Sequence, residues 1–184
     1  MTQNTTSYSS YAENFRQEVL DPFFNCIKSA ESCHLVGAGS MGKTRLMDYL
    51  MLPEVQNYYL GDESQKTILI RMDMNRLFDI NDWGFYELGL TSTIQACGQD
   101  PELNPMIEQY IKTLWLPLLE RPDALKALRY WELTINRICL QEFKLCFIFD
   151  EFDHVYEKLP ANVFSHLRAM RSEERRVGKE CRSR

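Results

Sequence analysis

Eight consecutive residues constrain this chain more than any other feature: Gly37-Ala38-Gly39-Ser40-Met41-Gly42-Lys43-Thr44. Glycine enters φ > 0 without strain, so three of them in six positions predict a backbone that curls tightly. The flanks suggest what the curl connects. Cys33-His34-Leu35-Val36 is short and mostly apolar, and is expected to be a buried strand. From Thr44 to Met51 the apolar residues stand at 46, 47, 50 and 51, a helical spacing. Pro53 marks the end of that helix. Strand, loop and helix in this order begin an α/β unit.

The octapeptide also fits G-x-x-x-x-G-K-[ST], the pattern of a phosphate loop. A triphosphate needs a concave set of backbone N–H donors, a cation, and a hydroxyl for its Mg²⁺. Gly37, Ala38, Gly39, Ser40, Met41 and Gly42 would supply the cradle, and Lys43 would reach the β- and γ-phosphates. The Thr44 hydroxyl would ligate Mg²⁺, and the helix that follows would aim its positive end at the anion. A plain turn between a strand and a helix needs neither the Lys nor the Thr.

A second motif lies far downstream. Lys144-Leu145-Cys146-Phe147-Ile148-Phe149-Asp150-Glu151 is an apolar run closed by two acids. Five apolar residues in a row suit a parallel strand buried on both faces. Asp150 at its carboxyl end would hold Mg²⁺, directly or through water, and Glu151 is placed to polarise an attacking water.

The two motifs together resemble the Walker A and Walker B pair of the additional-strand P-loop ATPases. Among these they are similar to AAA+ and STAND ATPases of the origin-recognition-like set. Asp150-Glu151 is the discriminating detail, because P-loop kinases and GTPases usually lack a glutamate directly after the Walker B aspartate. The resemblance covers residues 11–170. It implies an α/β three-layer P-loop sandwich with a parallel sheet, interrupted at about 76–142 by a helical insertion. It implies ATP and Mg²⁺ as ligands, Gly37–Thr44 as the binding loop, Thr44 and Asp150 on the metal, and Glu151 as the catalytic residue. It also implies that a fourth strand, inserted between the Walker A and Walker B strands, follows residue 170. The sequence is accordingly expected to be the N-terminal part of a longer protein, unstable and inactive alone, with its remaining strands, lid and arginine finger beyond this point.

Composition bounds the rest. The chain has 184 residues, 45% apolar and 26% charged, an ordinary globular balance. No apolar run approaches the roughly 20 residues of a membrane span. Residues 1–10, polar from Thr2 to Ser7, read as a disordered lead without the marks of a signal peptide. A cytoplasmic location is expected. Six cysteines show no C-x-x-C spacing, so neither a zinc site nor a thioredoxin-like motif is visible. Cys33 and Cys146 are expected in buried strands, Cys26 and Cys139 on apolar helix faces, all as reduced core thiols.

Residues 171–184 differ abruptly from what precedes them. They match the conceptual translation of a short-read sequencing adapter, whose AGATCGGAAGAGC begins Arg-Ser-Glu-Glu, and are expected to be non-native. Removing their six basic and three acidic residues from the totals of 21 and 26 leaves 15 against 23, a net −8. That balance gives no support to nucleic acid as a partner.

Along the chain, helices are expected over 9–20 and from Asp21-Pro22 through Ala30, then over Pro53–Tyr59 up to Gly61. Thr67–Asp73 reads as a second buried strand. Asn81 or Asp82 would cap a helix through Ile94. Leu103–Leu119 would be helical with an interruption at Pro117, and Asp123 would cap a helix presenting Leu125, Leu128, Trp131, Ile135 and Ile138 on one face. A last helix begins near Ala161 and is cut by the tail. Smaller candidates are Asn14–Glu18, which resembles an adenine-contacting segment, and Arg71 and Asn75, which could meet phosphate or a partner or cap the strand. Asp153 could support the metal but reads better as a helix-capping acid. His154 and His166 read as surface polar residues. The favoured function is a regulatory or signalling ATPase, with self-association or a protein effector open as further partners. A DNA-associated initiator or transposition ATPase, and a nucleotide-binding module without turnover, are the alternatives.

Overall fold

A computed structural model of the chain describes residues 15–36, 42–77 and 79–182, with side chains described as far as Arg171. It divides into two compact units, Met1–Lys66 and Thr67–Arg184.

The first unit is helical. α1 (Gln17–Lys28) turns Leu20, Phe23, Phe24 and Ile27 to one side, the i, i+3, i+4, i+7 stripe of an amphipathic helix, and all four are buried. α1 is one helix, where two separated at Asp21-Pro22 were expected. Pro22 sits inside it, at the loss of one backbone hydrogen bond. The apolar stripe runs across the proline without a break, and its burial outweighs that loss at about 1.5–3 kcal/mol per large apolar side chain. Residues 9–14 of the expected first helix lie outside the described residues. α2 (Lys43–Leu50) and α3 (Pro53–Leu60) follow, with Pro53 opening α3 after the end of α2, as the sequence predicts. Phe24 stacks on Tyr59 at 4.5 Å between ring centroids, and Gln56 Nε2 donates to the Leu50 carbonyl at 3.0 Å.

The second unit holds the sheet. β1 (Thr67–Asp73) and β2 (Lys144–Asp150) pair in parallel, in the register Thr67↔Lys144 through Asp73↔Asp150. Ile70 and Met72 from β1 and Leu145 from β2 enter a core shared with two long helices, α4 (Asp82–Cys97) and α7 (Ala124–Cys139). Both helices start on side-chain caps. Asn81 Oδ1 accepts from the Gly84 N–H at 2.8 Å, and Asp123 Oδ1 from the Lys126 N–H at 3.0 Å. Leu128, Trp131, Ile135 and Ile138 of α7 are buried as expected, but Leu125 is 63% exposed.

Between the long helices run α5 (Asn104–Tyr110), a π-helical turn over Ile111–Trp115 and α6 (Leu116–Glu120). Pro117 was expected to interrupt this stretch, yet the three pieces are continuous. The wider π turn opens the hydrogen-bond ladder just where proline has no N–H to give. The short α8 (Asp153–Tyr156) follows β2, and α9 (Ala161–Arg182) continues helical past residue 171 rather than stopping there.

The three-layer sandwich is overturned. Among the described residues the sheet has two strands, and helices dominate the rest. The decisive difference is at Cys33–Val36, which forms no strand and is exposed throughout, Val36 at 97%. Cys33 is therefore not a buried strand thiol, and Cys146 on β2 is only half-buried. No described helix is long and apolar enough to cross a membrane.

Candidate functional site

Gly37, Ala38, Gly39, Ser40 and Met41 lie outside the described residues; Gly42, Lys43 and Thr44 lie within them. Gly42 is the N-cap of α2, left-handed at φ 71 and ψ 33, a conformation that costs an L-residue roughly 1–2 kcal/mol. Lys43 is the first residue of α2, half-buried, and Thr44 the second, exposed. No side chain caps this end, and no acid stands in the first turn. The N–H groups of that turn have no intrahelical partner, so the helix presents donors and a partial positive charge here. Its own sequence adds the Lys43 ammonium. A further cation comes from α1's N-cap residue, Arg16. Its Nη2 lies 3.5 Å from where a Cβ on Gly42 would stand. An anion fits these groups: donors, two cations and a hydroxyl, with no carboxylate in the helix's first turn.

The acidic pair belongs to the second unit. Asp150 ends β2, and Arg71 reaches it from the neighbouring strand. Arg71 Nε and Nη2 both donate to Asp150 Oδ2, at 3.0 and 2.6 Å. The two side chains are 26% and 13% exposed, so this is a largely desolvated, charge-assisted contact. Both bonds fall on Oδ2, which leaves Oδ1 for a water of a hydrated cation. Asp73 is the direct register partner of Asp150. It brings a second carboxylate to the same strand ends, where Asp73 Oδ1 accepts from the Asn75 N–H at 3.0 Å. Arg71 thus offsets one of two like charges placed side by side.

Glu151 follows in a left-handed conformation at φ 55. Such residues cost about 1–3 kcal/mol and persist where the surroundings hold them. The turn breaks the strand direction immediately after Asp150, so the two acids do not alternate as strand residues would. Among the described residues no three of His, Cys, Asp and Glu gather as a metal cage. Mg²⁺ fits a sparser set, since it keeps several waters and takes one or two carboxylates together with phosphate oxygens. Taken singly, the Asp150 carboxylate and the Thr44 hydroxyl each have hard-oxygen chemistry.

Other candidates are placed elsewhere. Asp153 is exposed in the first turn of α8, and His154 beside it is exposed. His166 is not a free surface residue. Its Nδ1 lies 2.6 Å from the Tyr86 hydroxyl. Asn75 caps locally. Sequence reasoning missed two partnerships. Arg71 pairs with Asp150, although a lone charge in an otherwise apolar strand, two residues before Asp73, was the signal that it needed a partner. Arg16, read as part of an adenine-contacting segment, stands at the phosphate-loop end of α2.

No family model, curated protein or solved structure matches the chain.

Proposed function

We propose that the chain binds ATP with Mg²⁺ on Gly37–Thr44 and hydrolyses it, as a regulatory or signalling ATPase. The observation that carries this reading is the start of α2. A complete G-x-x-x-x-G-K-[ST] sequence ends on an uncapped helix N-terminus whose cap residue is a left-handed glycine. Residue roles follow the resemblance to AAA+ and STAND ATPases; the sandwich architecture does not carry over.

Backbone N–H groups at the start of α2 hold phosphate oxygens, and Lys43 neutralises their charge. Arg16 adds a second cation beside Gly42. By the resemblance, Thr44 and Asp150 are each candidates to offer an oxygen to Mg²⁺, which would supply charge withdrawal from the phosphates. Arg71 holds the Asp150 carboxylate in place through its two bonds to Oδ2. Glu151 orients a water and accepts its proton. Positioning and charge neutralisation are the whole of the catalysis.

Glu151→Gln separates binding from turnover. The amide is nearly isosteric but a poor base, so nucleotide affinity stays within about twofold while phosphate release falls by about 10²-fold or more. Equilibrium binding of a fluorescent ATP analogue and a phosphate-release assay read the two quantities. Unchanged turnover would remove Glu151 from the mechanism.

A further inference from the structure

The connection between α6 and α7 is short, and its ends are fixed by local chemistry. α6 ends at Glu120, and Arg121 leaves helical geometry at φ −138 and ψ 87. Pro122 comes next, and its ring keeps the residue before it out of the helical region. Asp123 then caps α7, its Oδ1 accepting from the Lys126 N–H at 3.0 Å. That cap sets where α7 begins. It thereby sets the direction of Lys126 and of Tyr130 one turn later, since residues i and i+4 share a helix face.

A cavity of about 250 Å³ lies between these two elements. Pro117, Leu118, Glu120 and Arg121 line it from α6 and its end, Lys126 and Tyr130 from α7. Such a volume holds about eight waters, or one organic molecule of a single ring or a short branched chain. Leu118 is 2% exposed and part of the core, which holds the apolar side of the lining in place. Just upstream, the Leu116 N–H donates to the Ile111 carbonyl five residues back. Single π turns of this kind inside helices are frequent at functional sites.

The polar side of the lining has an uneven charge. Two cations and one acid give a net +1. Arg121 has no ion-pair partner among the described residues. Lys126 Nζ stands 4.0 Å from Asp123 Oδ2, with the side chains 57% and 42% exposed, a loose contact that contributes little. The Tyr130 carbonyl accepts from Thr134 Oγ1, while its hydroxyl has no hydrogen-bond partner among the described residues. One negative charge is matched here and a second is not. An inorganic anion would leave the apolar side in contact with water. An apolar body bearing one carboxylate satisfies both sides.

We propose that the cavity between α6 and α7 binds a small organic monocarboxylate. Arg121 and Lys126 take its carboxylate, and Pro117, Leu118 and the Tyr130 ring take its apolar body. A guanidinium presents parallel N–H donors to both carboxylate oxygens, and an ammonium adds a point charge. The site takes no residue from Gly37–Thr44, Asp150 or Glu151.

Isothermal titration of the full chain with phenylacetate and with phenylacetamide, its uncharged counterpart of the same shape, tests this. One phenylacetate per chain is expected, bound about tenfold or more tighter than the amide. Arg121→Gln and Lys126→Gln should each weaken phenylacetate about fivefold or more and leave phenylacetamide within about twofold. Arg129→Gln removes an α7 cation that does not line the cavity, and should leave both affinities unchanged. All three positions are exposed, so the variants should melt with the parent by circular dichroism. No saturable binding of phenylacetate up to about 10 mM, equal affinities for acid and amide, or a loss in Arg129→Gln as large as in Arg121→Gln would each overturn the site.

Discussion

At Gly89 the two long helices of the second unit meet without room for a methyl group. A Cβ there would stand 2.5–2.7 Å from three atoms of the Trp131 ring. Trp131 is fully buried, its Nε1 donating to Thr93 Oγ1 at 2.9 Å, while Thr93 Oγ1 donates to the Gly89 carbonyl at 2.7 Å. The indole can move only by breaking that chain of bonds. Gly89→Ala is expected to lower the free energy of unfolding by about 3 kcal/mol, read from urea denaturation. Tyr86 supplies a pH dependence. Burial, then Asp82 and Glu132, push its hydroxyl from 10 up to about 12. The folded state therefore keeps a proton that the unfolded chain releases. The resulting stabilisation, roughly 1–3 kcal/mol, is complete below pH 10 and is lost as pH rises towards 12. Cys97, raised from 9 to about 12, adds a loss that begins lower. Melting temperatures should fall across this window, and less steeply in Tyr86→Phe. Equal slopes in the two proteins would contradict the assignment to Tyr86.

Elements with a local cause were legible in the sequence. α7 follows from its 3–4 spacing and the Asp123 cap, α4 from the Asn81 cap, and α3 from Pro53 at its start. β1 and β2 follow from seven-residue runs rich in apolar side chains. Cys33–Val36 was misread because a strand exists only by pairing, and four residues including His34 bring too little apolar surface to secure a partner. The helix break at Pro22 was misread because local propensity lost to the buried stripe running through it. The end of α1 offers a test at this scale. Its C′ position is filled by Ala30 at φ 54, where glycine is unstrained. Ala30→Gly should raise stability by about 1 kcal/mol, against the usual sign for Ala→Gly. A melting temperature below that of the parent would show that the turn does not hold this conformation in solution.

Across the whole molecule, the parallel pairing of β1 with β2 requires a long crossover, which α4 to α7 provide. That much of an α/β plan could be inferred from the order of elements. The sandwich could not, since it depended on a strand at Cys33–Val36 that the fold does not form. The placement of the candidate residues was legible where it is written locally: Gly42-Lys43-Thr44 at a helix start and Asp150 at a strand end. Arg71 as the partner of Asp150 was not, because contact across β1 and β2 depends on a register that neither strand specifies alone. The central claim is that Gly37–Thr44 binds a nucleotide triphosphate through Lys43. Titration of the chain and of Lys43→Ala with a fluorescent ATP analogue in the presence of Mg²⁺ tests it most directly. Loss of a charge-assisted contact to phosphate predicts that affinity falls about 10–100-fold in the variant. Equal affinities, or no binding by the parent chain, would contradict it.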